Sequence, residues 1–251
     1  MKEFRPDKFD SEIFGCDVYR LLAEADTLSP ERLRSMREGT QACFICCFTP
    51  HSPGNFEALA DSGFRLISVR SSYELDIGPD ARQASVPPGI TIDRHTASPV
   101  AIPDAQLAEL ALTIGASSRY FKDRRVPPSI ARALYLRWLQ NSLRGGYAAE
   151  VLIASAQGRV VGLHSIRVDE PRGIVDLIGV VPACQGTGVG RALLDEGIAW
   201  CARRGLSHVE VVTEAENVAA SRFYERRGFM LRRTEFVWHW HAGSLGRDVR
   251  S

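Results

Sequence analysis

Residues 173–194 read GIVDLIGVVPACQGTGVGRALL, and the glycines in this stretch constrain the chain more than any other feature. The run 174–181 is apolar, rich in β-branched residues and stopped by Pro182, which reads as a buried strand. A turn with three glycines follows, at Gly186, Gly188 and Gly190. From Arg191 to Trp200 apolar residues recur at helical spacing. Strand, glycine turn and helix in that order build an anion site. Glycine lets the backbone approach a ligand closely, and the first helical turn has free N–H groups. The natural guest is a phosphate or pyrophosphate, and a tight turn without a ligand is the plain alternative.

Two commoner glycine loops are excluded. No Lys-Ser or Lys-Thr follows the glycines, as a P-loop requires, and Arg191 stands where the dinucleotide fingerprint GxGxxG needs its third glycine. What remains is Gln185-x-x-Gly188-x-Gly190. Downstream, 209–213 reads as a strand and 217–227 as a helix closed by Gly228. Asn217 can cap that helix, with Ser221 one turn later and Tyr224 on the same face.

These two segments, in this order, resemble the acyl-CoA signature of the GCN5-related N-acetyltransferase (GNAT) superfamily. The resemblance implies an α/β fold on a mixed sheet, with acetyl-CoA as co-substrate held where neighbouring strands splay. It implies backbone donors to the thioester carbonyl at Ile178, Gly179 and Val180. The pyrophosphate would lie on Gln185, Gly186, Thr187, Gly188, Val189, Gly190 and Arg191, and the pantetheine near Asn217 and Ser221. Tyr224 is expected to protonate the departing sulfur, or else to be a core tyrosine on an amphipathic helix. Asp176 could orient or deprotonate the amine, or could serve in a structural hydrogen bond. Glu150 and His164 are weaker candidates for the base.

A narrower likeness rests on residues 10–15, on Ser118-Arg119-Tyr120-Phe121-Lys122-Asp123 and on residues 134–142. These resemble sugar-nucleotide N-acyltransferases of the TDP-fucosamine acetyltransferase type. The implied acceptor is the amine of a nucleotide-linked deoxy-amino sugar, held by Arg119, Tyr120, Phe121, Tyr135 and Trp138. Arg119, Arg124 and Arg125 either pair with a nucleotide diphosphate or form a solvated basic loop. A protein or polyamine acetyltransferase and a non-catalytic acyl-CoA sensor are the competing functions. Related enzymes suggest a homodimer.

At 251 residues the chain has room for a large domain or two small ones, and 45% hydrophobic residues suffice for a core. A formal net charge of +1 creates no field that would draw it to nucleic acid or an anionic membrane. The first ten residues lack a signal-peptide core and no apolar run is long enough to span a bilayer, so a cytoplasmic protein is expected. Cys43, Cys46 and Cys47 lie in an apolar run that reads as a buried strand and are expected as core thiols in a reducing compartment. His239 and His241 alternate with Trp238 and Trp240. They read as the exposed face of an edge strand, and no metal is expected because no third ligand is near in sequence.

Pro87, Pro88 and Gly89 mark a linker at 83–89 between a first segment, 1–82, and an acetyltransferase domain, 90–251. The end of the first segment parallels the end of the chain at constant offset: Gly63-Phe64 matches Gly228-Phe229, and Tyr73 matches Trp238. Either the first segment is a degenerate GNAT-like half-domain, or two strand–helix–strand units look alike by chance. At the place of Tyr224 the first unit has Leu59, and it contains no glycine-rich turn.

Overall fold

The structure, a computed structural model, describes residues 4–78 and 85–243. The first segment runs β1 (Phe4–Pro6), α1 (Lys8–Phe14), β2 (Val18–Leu22), α2 (Pro30–Glu38), β3 (Phe44–Thr49), α3 (Pro53–Asp61) and β4 (Arg65–Asp76). The second begins with β5 (Ile90–Arg94), α4 (Asp104–Gly115), α5 (Arg119–Lys122) and α6 (Pro128–Arg144). It continues through β6 (Glu150–Ala156), β7 (Arg159–Asp169), β8 (Arg172–Val180) and a 3-10 turn at Pro182–Cys184. Last come α7 (Val189–Arg203), β9 (His208–Glu214), α8 (Val218–Arg226) and β10 (Met230–His241). Of the expected linker, Gln83 and Ala84 lie outside the described residues.

Local chemistry sets the helix starts. Ser29 caps α2 by accepting from Arg32 N–H at 3.2 Å, with Pro30 in the first turn. Ser52 caps α3 through Asn55 N–H, also at 3.2 Å. Asn217 caps α8 through Ala220 N–H at 3.2 Å. One stretch expected as loop is partly helical, since 119–122 form the turn α5 around the buried Tyr120.

The ten strands among the described residues join one mixed sheet, ordered β1-β2-β3-β10-β4-β9-β8-β7-β6-β5. The two segments are therefore distinct in chain order but not in hydrogen bonding. β10 lies between β3 and β4, and β4 lies between β10 and β9. The antiparallel β4–β10 ladder is symmetric about the pair Arg70↔Glu235. Leu231↔Tyr73 on one side answers Trp238↔Leu66 on the other, and Arg233↔Ser72 answers Val237↔Ser68, so both bulges fall at equivalent places. The flanking helices, Pro53–Asp61 and Val218–Arg226, keep the same offset. One difference separates the two units. The parallel pair β2–β3 stays bonded as far as Leu22↔Phe48, whereas β8–β9 stops at Val175↔Val211. Only the second unit opens.

Apolar side chains fill both faces. A small cluster under α2 and α3 gathers Leu21, Leu33, Ile45, Leu59, Phe64 and Trp238, and the main core occupies the rest.

Two expectations are corrected. Cys43 is not a core thiol: it forms a disulfide with Cys16, Cα–Cα 6.1 Å, while Cys46 and Cys47 are buried and free as expected. The cysteines therefore do not argue for a reducing compartment. His239 and His241 do not lie on an exposed edge, because interleaving puts β10 in the interior of the sheet. Their side chains are 0% and 2% exposed and both bond one oxygen of Asp123, at 2.9 and 2.8 Å. Among the described residues no helix is long and apolar enough to cross a membrane.

The buried imidazoles make acid the weak side of this fold. Burial pushes His239 and His164 down to about 4. An unfolded histidine titrates near 6.5, so each imidazole's contribution is complete above that pH and is lost as pH falls toward 4. Each should cost up to about 3 kcal/mol over that window. Thermal melting followed from pH 7 to 4.5 should show a steep fall in Tm, and a flat profile would refute the buried-neutral assignment.

Candidate active site

The site begins where β8 and β9 part. β8 carries a bulge at Asp176, since Val175 pairs with Ile166 and Leu177 with Ser165. The Ser165 hydroxyl takes up the displaced Leu177 N–H at 3.2 Å. Beyond Val175 the edge of β8 toward β9 has no ladder partner. Ile178, Gly179 and Val180 lie on this stretch. Gly179 is required by close packing, because a Cβ there would meet Ile114 of α4 at 2.4 Å.

After β8 the chain makes its glycine turn. Gly186 and Gly188 have φ of +77° and +93°, and Gly188 is the N-cap of α7, with no side chain satisfying the first N–H groups of that helix. Gln185 and Thr187 bond inward instead, to Val180 O at 3.0 Å and Cys184 O at 2.7 Å. Gln185, Thr187 and Arg191 are at least partly exposed, Gly190 is half-buried and Val189 is buried. Bare backbone donors at a helix start, beside an open strand edge, fit a pyrophosphate with an extended arm running into the splay. Gly188→Val would force a β-branched residue to positive φ, at about 1–2 kcal/mol. CoA affinity measured by calorimetry should fall about tenfold or more, and unchanged affinity would move the pyrophosphate elsewhere.

Tyr224 stands beside the splay on the α7 side of the sheet. It is 4% exposed, its ring packed 6.2 Å from Tyr73 and 5.7 Å from Phe229. No described residue hydrogen-bonds its hydroxyl, and burial alone pushes the phenol well up, so it stays protonated at neutral pH. Asn217 uses its side-chain oxygen to cap α8, and Ser221 is half-buried one turn later.

The other face of the splay is covered by α1, α5 and α6. Asp176 lies here with its side chain 2% exposed and both oxygens engaged, by Arg167 Nε at 2.7 Å and Trp138 Nε1 at 2.7 Å. The structural hydrogen bond is the part of its dual expectation that the geometry favours. Glu150 accepts from Arg94, Thr96 and Val151 N–H, and His164 is enclosed beneath α7 with Nδ1 on Leu193 O at 3.1 Å. Glu150 is thus held by three donors, whereas the Nε2 of His164 is buried without a partner. Trp138 packs edge-on to Phe9, and the ring of Tyr135 fills the space a Cβ would need at Gly115, with Phe121 beside it. Tyr120 is 1% exposed and its hydroxyl donates to Asp10 while receiving a bond from Arg119, so it braces α1 against α5. Arg124 is exposed, and Arg125 bonds Asp123 and His239 O.

One group absent from the expectations is Glu214. It ends β9, three residues beyond the last bonded pair Val175↔Val211, on the strand's open side of the splay. Its Oε1 accepts from Arg119 N–H at 3.2 Å, and its Oε2 is buried with no partner. The alternation of β9, with Val209 and Val211 buried, would have put Glu214 on the face away from them. Asp123, His239 and His241 are described residues whose ligand atoms, within 4.8 Å of one another, could hold a metal. Arg125 already supplies a cation to that carboxylate, which argues for a hydrogen-bonded cluster.

A mixed sheet opened between two parallel strands, with a glycine turn and a bare helix start on one side, is the architecture of the GNAT acetyltransferase fold. Residues 117–229, a little under half of the chain, match the acetyltransferase (GNAT) family. It is 26% identical over 234 residues to dTDP-fucosamine acetyltransferase of Escherichia coli O6:H1, covering 92% of this chain and 95% of that one. It is 37% identical to mycothiol acetyltransferase of Amycolatopsis mediterranei over 92 residues, which are 33% of this chain and 31% of that relative. The chain thus spans only about a third of that second relative. A GCN5-related N-acetyltransferase from Sphaerobacter thermophilus superimposes with a TM-score of 0.61 at 17% identity, covering 95% of this chain and 75% of its own, which bears on fold alone.

Proposed function

We propose that this chain transfers an acetyl group from acetyl-CoA to the amine of a nucleotide-linked amino sugar by direct attack. The observation that carries the reading is the β8–β9 splay, with the turn of Gly186 and Gly188 on one side and the unpartnered Glu214 carboxylate oxygen on the other. The CoA pyrophosphate would lie on the α7 N–H groups. Backbone donors around Ile178 hold the carbonyl oxygen as it gains charge. Glu214 takes the proton from the attacking amine, directly or through water, as the C–N bond forms. The C–S bond then breaks, and Tyr224 donates its proton to the sulfur.

The sugar-nucleotide acceptor is supported by the likeness to dTDP-fucosamine acetyltransferase, which extends over both segments. A mycothiol acetyltransferase of Pseudarthrobacter chlorophenolicus is 31% identical over 190 residues, 71% of this chain. The fucosamine enzyme matches 92% of this chain, so the extent of the match favours the sugar nucleotide. Thiol release from acetyl-CoA should be measured across amino-sugar nucleotides, free amino sugars, peptides and polyamines. Turnover confined to peptides or polyamines would sink the acceptor reading, and no turnover with any amine would favour a sensor.

A further inference from the structure

Three arginines from three elements surround one aromatic ring on the acceptor face. The guanidinium carbon of Arg70 on β4 lies 3.9 Å from the Phe48 centroid, that of Arg119 on α5 5.4 Å, and that of Arg20 on β2 5.7 Å. Phe48 is 2% exposed and forms the floor. Arg20 and Arg70 remain 35% and 24% exposed at the side chain, so the cluster opens to solvent.

The charges are unequally matched. Arg20 pairs with Asp7 at 2.6 Å and Arg70 with Glu235 at 2.8 Å. Among the described residues Arg119 has no carboxylate in ion-pair range. The Tyr120 hydroxyl takes one donor, and the Nε of Arg119 is buried with no acceptor at all. The Asp10 carboxylate reaches Arg119 only through the Tyr120 hydroxyl, and two like charges share the same ring, so the enclosed guanidinium has no direct counter-ion. The neighbouring hydroxyls of Ser68 and Ser72 are likewise buried and unpartnered. These orphaned groups line β4 and the start of α5, on the face that carries Glu214. Arg70 is the ladder partner of Glu214, and the Arg119 N–H bonds its carboxylate.

We propose that Arg20, Arg70 and Arg119 form a phosphate subsite for the acceptor, beside the amine position at Glu214. The planar guanidinium matches phosphate oxygens in bidentate fashion, and the three arrive from different directions, as a tetrahedral anion requires. The acceptor class this selects carries both an amine and a phosphate. The assignment rests on the proposed function, and no step of the chemistry passes through it.

The test is direct binding in the presence of saturating CoA, which keeps the probe off the α7 turn. Thymidine diphosphate and inorganic pyrophosphate should be titrated calorimetrically into wild type, Arg20→Ala and Arg70→Ala. Each substitution should raise the probe Kd about 10- to 100-fold while CoA affinity holds. The more exposed Arg20 keeps the test valid if Arg70→Ala folds poorly. Tighter binding of thymidine diphosphate than of pyrophosphate would assign the phosphate to a nucleotide, and equal binding to a simpler phosphorylated acceptor. Absence of binding to wild type, or equal affinity in both variants, overturns the subsite. A subsite that binds, in an enzyme that acetylates no sugar nucleotide, would overturn the acceptor reading instead.

Discussion

Tyr224→Phe should lower kcat by about 10²–10⁴ while leaving CoA affinity and melting temperature nearly unchanged. The ring keeps its packing against Tyr73 and Phe229, so the substitution removes only the hydroxyl. That hydroxyl has no described protein partner, and a satisfied core tyrosine would be expected to have one. Its raised pKa keeps the proton on the phenol until a developing thiolate claims it. A structural tyrosine predicts the reverse pattern, a stability loss of about 1 kcal/mol with turnover preserved. Rate measurements must show that chemistry limits turnover. Wild-type kcat under that condition would remove Tyr224 from the reaction.

The half of the site built from contiguous chain is legible in the amino-acid sequence. Residues 174–190 place a strand, a turn and a helix start within a few residues, so the glycine spacing marks where the chain turns and where the helix begins. Tyr224 is legible for the same reason, through helical spacing from Asn217. The acceptor face is not, because its parts meet only across the sheet. Arg20, Phe48 and Arg70 come from strands β2, β3 and β4, brought together by an interleaving that no local pattern encodes. The same interleaving defeats the expectation for His239 and His241, since the last strand among the described residues is not an edge strand of the sheet. The disulfide of Cys43 is hidden because its partner, Cys16, lies outside the apolar run. Asp176 is on the expected strand, but the indole and guanidinium that occupy it come from α6 and β7. Side-chain identity marks it as a possible base. Only geometry reveals that both oxygens are taken.

Glu214→Gln should be the second severe variant, with kcat reduced by about 10²–10⁴ and partial recovery as pH rises. The amide keeps an oxygen for the Arg119 N–H and nearly the same volume, so fold and CoA binding should survive. What it loses is the ability to accept a proton. The reaction then depends on the fraction of acceptor amine already neutral, which grows with pH, so the kcat/KM profile should follow the amine itself. Asp176→Asn gives the contrasting pattern. Removing that carboxylate charge leaves Arg167 without its 2.7 Å ion partner in a half-buried position, so stability should suffer. The loosened Trp138 should raise the acceptor KM while the pH profile keeps its wild-type shape. The two variants thus differ in which quantity moves. If Asp176→Asn loses the pH dependence and Glu214→Gln retains wild-type kcat across it, the base is Asp176. The splay would then hold Glu214 only as an anchor for α5.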